Sequence, residues 1–291
     1  MQHACSDSTV EPLPGTARTG RMFVAMEHPG PWSRDILDGG TLTDTDRFRD
    51  IPGLMLIRRP GREGRHPKTL RRIYLIYPSE GIIETLLAPE ETVPTLDFTD
   101  PGRNTAHGAT VLDEPLLLVC THAKRDQCCA VKGRPIVAAA AEAYPAAHVW
   151  ECSHAGGHRF APAVLLYPWG YSYGQLNEQA TIALLRAAYR GEMFLPGNRG
   201  STLFDQPGQV RELAVAHRLA AAGESLHFGD LTVNGDIVTH RDGRRFTVTV
   251  TASTVDEVVV SCGKPPTTKT SYRATQVTPL PEGDIPQPGQ Q

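Results

Sequence analysis

Apolar residues fall in short runs separated by stretches rich in Gly, Pro and charge, a pattern of strands with few helices. Arg21–Glu27 (Arg-Met-Phe-Val-Ala-Met-Glu) and Gly53–Arg59 (Gly-Leu-Met-Leu-Ile-Arg-Arg) each predict a buried strand. Between them, Trp32–Leu37 predicts the start of a helix. A basic loop, Pro60–Lys68, leads to Arg72–Pro78 and Gly81–Leu87, which predict a hairpin across Ser79-Glu80. Pro115–Cys120 is another buried-type strand, Arg134–Tyr144 an Ala-rich helix stopped at Pro145, and Ala147–Cys152 a further strand. After the loop Ser153–Arg159, Ala163–Tyr167 and Tyr171–Leu176 predict a second hairpin, and Asn177–Tyr189 is apolar at helical spacing with Gly191 near its end. A helix over Gln209–Ala222 ends at Gly223. Leu231–Cys262 is β-rich, and Arg245–Ala252 within it alternates strictly after the Asp242-Gly243 turn.

The middle segment thus reads strand, helix, strand, strand, strand, helix. Leu75-Ile-Tyr-Pro78 before one hairpin echoes Leu165-Leu-Tyr-Pro168 before the other, and each half opens on a buried strand. We read two related halves, a degenerate internal duplication in an α/β chain. The expected organisation is an irregular arm over 1–20, a half without ligands over 21–110 and a ligand-bearing half over 111–200. A helix plus β-rich region follows over 201–275, and a disordered tail over 276–291, where Pro, Gly and Gln offer little to bury.

Composition narrows the class without naming a function. The 291 residues are 40% hydrophobic and 21% charged, enough for a proper core, and the net charge of −3 gives no reason to expect nucleic-acid binding or a polybasic membrane anchor. The N-terminus lacks a charged segment followed by an apolar run, and no apolar stretch approaches the roughly 18 residues of a membrane span. The expected location is therefore the cytoplasm, where cysteines stay reduced. Of six cysteines, Cys120, Cys128, Cys129 and Cys152 lie close together, which favours metal binding or redox chemistry over a disulfide framework.

The candidate chemistry sits between Cys120 and His158. The chain reads Cys120-Thr-His-Ala-Lys-Arg-Asp-Gln-Cys128-Cys129, and later His154-Ala-Gly-Gly-His158. Thiolate and imidazole are the protein ligands of zinc and iron, and on spacing alone zinc is the default ion. Cys120 ends a buried strand and Cys129 lies just before the predicted helix. Gly156-Gly157 puts the two histidines in a loop that can fold closely around a compact cofactor. Cys128 could compete with its neighbour as a ligand, and Cys152 could complete a set of three cysteines and one histidine. His122 reads as a loop residue.

Cys120-x8-Cys129-x24-His154-x-Gly-Gly-His158 resembles the ligand motif of the sucrase/ferredoxin-like family, thioredoxin-like [2Fe–2S] ferredoxins of which some use a pair of histidines. Cys-Thr-His-x-x-Arg-Asp-x-Cys-Cys, Val149–Ala161 and Tyr173-Gly174 match as well. So do Glu27–Trp32, Arg58–Arg62 and Ser261-Cys-Gly-Lys264, so that the resemblance covers nearly the whole chain. It implies a thioredoxin-like mixed sheet and a [2Fe–2S] cluster held by Cys120, Cys129, His154 and His158. It implies no sugar chemistry, and no convincing pair of glycosidase carboxylates is present.

Such a ligand set implies a one-electron carrier rather than a stand-alone enzyme. Two ferric ions, two sulfides, two thiolates and two neutral imidazoles sum to about zero charge, against about −2 with four thiolates, so the potential should exceed that of a plant-type ferredoxin. An imidazole with an accessible outer nitrogen would make it pH-dependent. Lys124, Arg125, Lys132, Arg134 and Arg159 outnumber Asp126 and Glu151 nearby and could steer an acidic partner. The expected partner is a redox protein, donor or acceptor, with no nucleic acid and no membrane. By resemblance, a reductase role towards ferric siderophores is a sub-hypothesis. The alternatives are a zinc-stabilised thioredoxin-like binding module without redox function and, weakest, a thiol oxidoreductase using Cys128 and Cys129, which lack the usual Cys-x-x-Cys spacing.

Overall fold

The computed structural model describes residues 5–281. In chain order the first half contributes β1 (Phe23–Glu27), β2 (Met55–Arg58), β3 (Arg71–Tyr77), β4 (Ile82–Ala88) and β5 (Thr110–Val111). The second contributes β6 (Leu116–Cys120), α1 (Gln127–Ala143), β7 (His148–Cys152), β8 (Val164–Tyr167), β9 (Tyr171–Tyr173), α2 (Glu178–Tyr189) and β10 (Asn198–Ser201). Then come α3 (Gln206–Ala221), β11 (Leu231–Asn234), β12 (Ile237–His240), β13 (Arg245–Val258) and β14 (Thr267–Pro279). No helix among the described residues is long and apolar enough to cross a membrane.

Ten strands form one mixed sheet in the order β10-β9-β8-β6-β7-β2-β1-β3-β4-β5. The same pairing occurs twice. β1 runs parallel to β2 and antiparallel to β3, which continues to β4 and β5. β6 runs parallel to β7 and antiparallel to β8, which continues to β9 and β10. The echo between the halves is therefore an echo of topology. They meet where β2 lies antiparallel to β7, with Arg58 opposite Glu151. That seam is held by a buried ion pair, Arg58 Nη2 to Glu151 Oε2 at 2.7 Å.

β1, β2, β6 and β8 are buried on both faces, hence their unbroken apolar runs. One face is shared by both halves: Phe23, Ala25, Met55, Ile57, Leu116, Leu118 and Cys120 lie in a single core. The other face is divided. Val24, Met26 and Leu56 pack under first-half loops, while Leu117 and Val119 pack against Ile136 of α1 and Leu184 of α2. A second sheet, β11-β12-β13-β14, packs its apolar face on α3 through Val215, Leu219, Val238 and Phe246.

The order strand, helix, strand, strand, strand, helix holds in the second half, and the structure adds two short strands, β5 and β10, that the apolar pattern did not mark; other differences from expectation have local causes. No helix forms at Trp32–Leu37: Asp35 and Asp38 turn their carboxylates back to accept from Leu37 N–H and Gly40 N–H, which competes with helical bonding. α1 begins seven residues before the expected Arg134. Gly133 and Pro135 look like a helix entrance, but Asp126 already caps the helix by accepting from Cys128 N–H at 3.0 Å. Cys128 and Cys129 therefore stand in the first helical turn, not before the helix. Finally, β14 runs on to Pro279, so residues 276–279 are strand; the expected tail from 282 onward lies outside the described residues. The N-terminal arm contains one short turn of 3-10 helix at Cys5–Asp7 and is packed down, Cys5 being buried.

Candidate metal centre

Three secondary-structure ends converge. Cys120 closes β6 and Cys152 closes β7, and the two are direct partners in parallel register. Parallel partners project to the same face, so their sulfurs meet below the start of α1. The first turn of α1 supplies Cys128 and Cys129. Neighbouring residues on a helix point about 100° apart, so the two thiols face different ways. Cys129 meets Cys120, whereas Cys128 turns to Cys5 and Cys262.

Cys120, Cys129 and Cys152 form a fully buried thiol group. Cys120 sits centrally: hydrogen bonds from Cys129 and from Cys152 hold its pKa well below the ordinary thiol value. Cys129 is raised by its bond to Cys120 and then by burial, and Cys152 by burial and then by its bond to Cys120.

The loop after β7 brings two imidazoles beside this group. The rings of His154 and His158 lie 5.5 Å apart between centroids. Burial lowers the pKa of His154 to about 4 and also lowers that of His158, while negative charge on Cys120 works in the opposite direction on both. Both rings are therefore neutral at pH 7, the form that binds metals. Both nitrogens of His158 are buried and neither closes a hydrogen bond of full geometry among the described residues; the nearest acceptors are the Val260 carbonyl and Asp126 Oδ2, the latter 3.7 Å from Nε2. The loop is shaped by Gly157 at φ +75°, where a Cβ would come within 2.2 Å of Arg199 Nη2. Arg199, itself buried, donates to Gly156 O and to Thr16, tying the histidine loop to the N-terminal arm. Burial lowers its pKa to about 9, and Cys129 is the strongest group opposing that shift.

The second thiol group was not expected. Sγ of Cys5, Cys128 and Cys262 form a triangle with sides of 3.5 Å (Cys5–Cys128), 3.0 Å (Cys128–Cys262) and 3.5 Å (Cys262–Cys5). Asp126 Oδ1 is 3.2 Å from the Cys262 sulfur. Ligand atoms of all four residues lie within 4.8 Å of one another, a candidate metal-binding group. Among the described residues no other set of three or more His, Cys, Asp or Glu side chains closes so tightly. No three of Cys120, Cys129, His154 and His158 close to within 4.8 Å: Cys120 meets Cys129, and the rings of His154 and His158 face each other as a second pair. Burial raises Cys5 and Cys262; it pushes Asp126 up as well, but hydrogen bonds from Cys262 and Cys128 outweigh it and hold the carboxyl at about 2.

Spacing drew attention to Cys128 as a competitor for the first group, and the helix turns it to the second. It gave no reason to pair Cys5 with Cys262, 257 positions apart. The one signal was arithmetic: two cysteines lay outside the cluster of four in a chain where no disulfide was expected. His122 is not a free loop residue. It is buried, with Nε2 2.7 Å from Ser33 O.

The charged surroundings are more selective than a residue count suggests. Lys132 pairs with Asp7 and Arg159 with Glu11, so the N-terminal arm neutralises two of the cations. Arg34 and Arg125, with His122 and His154, line a cleft of about 280 Å³ that reaches the histidine loop.

A family model described as sucrase/ferredoxin-like matches residues 13–200. No curated protein and no solved structure matches the chain. The matched segment contains both strand-end cysteines, the first turn of α1 and both histidines, but neither Cys5 nor Cys262.

Proposed function

Because this chain belongs to the sucrase/ferredoxin-like family, we propose that it is a one-electron carrier holding a [2Fe–2S] cluster on Cys120, Cys129, His154 and His158. The observation that carries this reading is the pairing of His154 and His158, two neutral imidazoles with rings 5.5 Å apart beside the buried Cys120, neither nitrogen of His158 closing a hydrogen bond of full geometry. Leaving such atoms without a partner is costly unless a ligand completes them. When bound, the cluster supplies reversible one-electron chemistry at a potential above that of all-thiolate centres.

The residues have distinct tasks. Cys120 and Cys129 present sulfur from a strand end and a helix start. Cys152, the parallel partner of Cys120, would stand beside the ligand sulfur as a thiol, and an S–H directed at that sulfur would raise the potential by favouring added negative charge. His154 borders the cleft with Arg34 and Arg125, so its outer nitrogen can exchange a proton with solvent there. The two arginines make the same cleft the approach for an anionic partner, such as an acidic redox protein or a ferric siderophore. The ligand cysteines must be reduced, which accords with a cytoplasmic setting.

A red-brown protein containing about two irons per chain is expected on purification. Its potential should fall by roughly 59 mV per pH unit above the imidazole pKa of the oxidised form, one proton accompanying one electron. A colourless, iron-free protein would refute the reading, and a potential flat from about pH 6 to about pH 9 would refute an accessible histidine ligand. A second reading, a zinc-stabilised module without redox function, is favoured by the tight Cys5–Asp126–Cys128–Cys262 group; zinc without iron in the purified chain would select it.

A further inference from the structure

We propose that Cys5, Cys128 and Cys262, with Asp126, hold a single zinc ion separate from the cluster site, clamping the N-terminal arm and the β13–β14 loop onto the first turn of α1. Its geometry is that of a mononuclear site. Zinc–sulfur bonds of about 2.3 Å imply sulfurs roughly 3.8 Å apart around a tetrahedral ion. The observed sides of 3.0–3.5 Å need only a small outward movement of each sulfur. A disulfide, with sulfurs about 2.05 Å apart, fits less well and would leave the third thiol unpaired.

Asp126 is oriented as a fourth ligand. Its Oδ2 accepts from Ser261 Oγ at 3.0 Å and Cys262 N–H at 2.9 Å, while Oδ1 accepts from Cys128 N–H at 3.0 Å. These bonds hold the carboxylate in place and leave a lone pair of Oδ1 facing the sulfurs once the thiols are ionised. Three thiolates and a carboxylate exceed the charge of one zinc by two. The N-terminus of α1, a 17-residue helix, and its N–H groups partly compensate that excess. Three sulfurs and one oxygen in a small tetrahedron favour zinc over the hard, oxygen-seeking cations.

Two of the three sulfurs come from opposite ends of the sequence, outside the family match, and the third from its middle. Cys5 belongs to the arm, Cys262 to the loop after β13, and Cys128 precedes the cluster residue Cys129. One ion there closes a loop of nearly the entire chain and fixes the helix end that presents Cys129.

Full-length protein analysed for zinc and iron should contain about one zinc per chain, and its zinc absorption-edge spectrum should show three sulfurs near 2.3 Å and one oxygen or nitrogen near 2.0 Å. Cys262→Ser should lose most of the zinc and keep the iron; Cys129→Ser should lose the iron and keep the zinc. If Cys262→Ser is insoluble, the coordination measured on the unmodified protein decides. Zinc-free protein with full iron, iron lost instead of zinc from Cys262→Ser, four-sulfur zinc coordination, or a disulfide among the three cysteines would each overturn the site. Zinc-loaded, iron-free protein would instead overturn the cluster and leave this site standing.

Discussion

Replacing Gly133 by alanine tests the contact on which the thiol arrangement depends. Gly133 lies in α1 above the end of β6, and a Cβ there would sit 2.3 Å from the Cys120 carbonyl oxygen and 3.4 Å from Val119 Cγ1. Carbon and carbonyl oxygen approach comfortably to about 3.3 Å, so helix and strand must separate by roughly 1 Å. The obstructing atom is backbone, and no rotamer change relieves it. Overpacking of this kind costs about 1–3 kcal/mol, and we take the upper end. Alanine returns about 1 kcal/mol through its helix propensity, leaving a net loss of about 2 kcal/mol. At about 2–4 °C per kcal/mol for a chain approaching this size, Tm should fall by about 4–8 °C. The same separation moves Cys129 away from Cys120, so iron per chain should drop as well. Thermal melting with iron analysis of G133A reads both effects. A variant that melts at or above the wild-type temperature with full iron would show that the close approach of α1 to β6 does not hold the site.

Other consequences follow from buried charge. Arg58→Met leaves Glu151 at the seam between the halves with only the half-exposed Arg65 at 3.7 Å and the Thr121 hydroxyl at 2.8 Å, and should cost about 3 kcal/mol in urea unfolding, while adding Glu151→Leu should restore more than half; no recovery would mean that the pair is not what joins β2 to β7. Glu212 is buried beside Tyr171, and burial raises its pKa to about 8. The folded chain thus holds a proton there that the unfolded chain releases, so its contribution to stability is full below about pH 4.5 and is lost as pH rises through about 8. Glu212→Gln should remove that slope and gain on the wild type by on the order of a few kcal/mol between pH 5 and pH 8, measured by denaturant titration at both. Equal differences at the two pH values would place the carboxyl in a more polar setting than its burial indicates.

Much of this architecture is local and therefore visible in order along the chain. The strands β1, β2, β3, β4, β6, β7 and β8 are apolar runs bounded by Gly, Pro and charge, and α2 is marked by its Asn177 cap and helical spacing. The four proposed cluster ligands stand in two short segments of the sequence. What misled was also local: Gly133 and Pro135 look like a helix entrance, and only the Asp126 carboxylate, serving both as helix cap and as acceptor for the Cys262 loop, shows that α1 starts earlier.

By itself the chain determined most of the segments that become strands, the repetition of a pattern across two halves, and the residues that offer sulfur and nitrogen beside β6 and β7, but not β5, β10 or the end of β14. Those features depend on spacing and on side-chain chemistry within a few residues. Tertiary structure alone decided that the halves share one sheet through β2 and β7, that adjacent cysteines face different partners, and that Cys5 and Cys262 meet over the helix start. Contacts between distant positions carry no spacing signal: loop closure costs little more for one long separation than another, so only the packed core selects which distant groups come together.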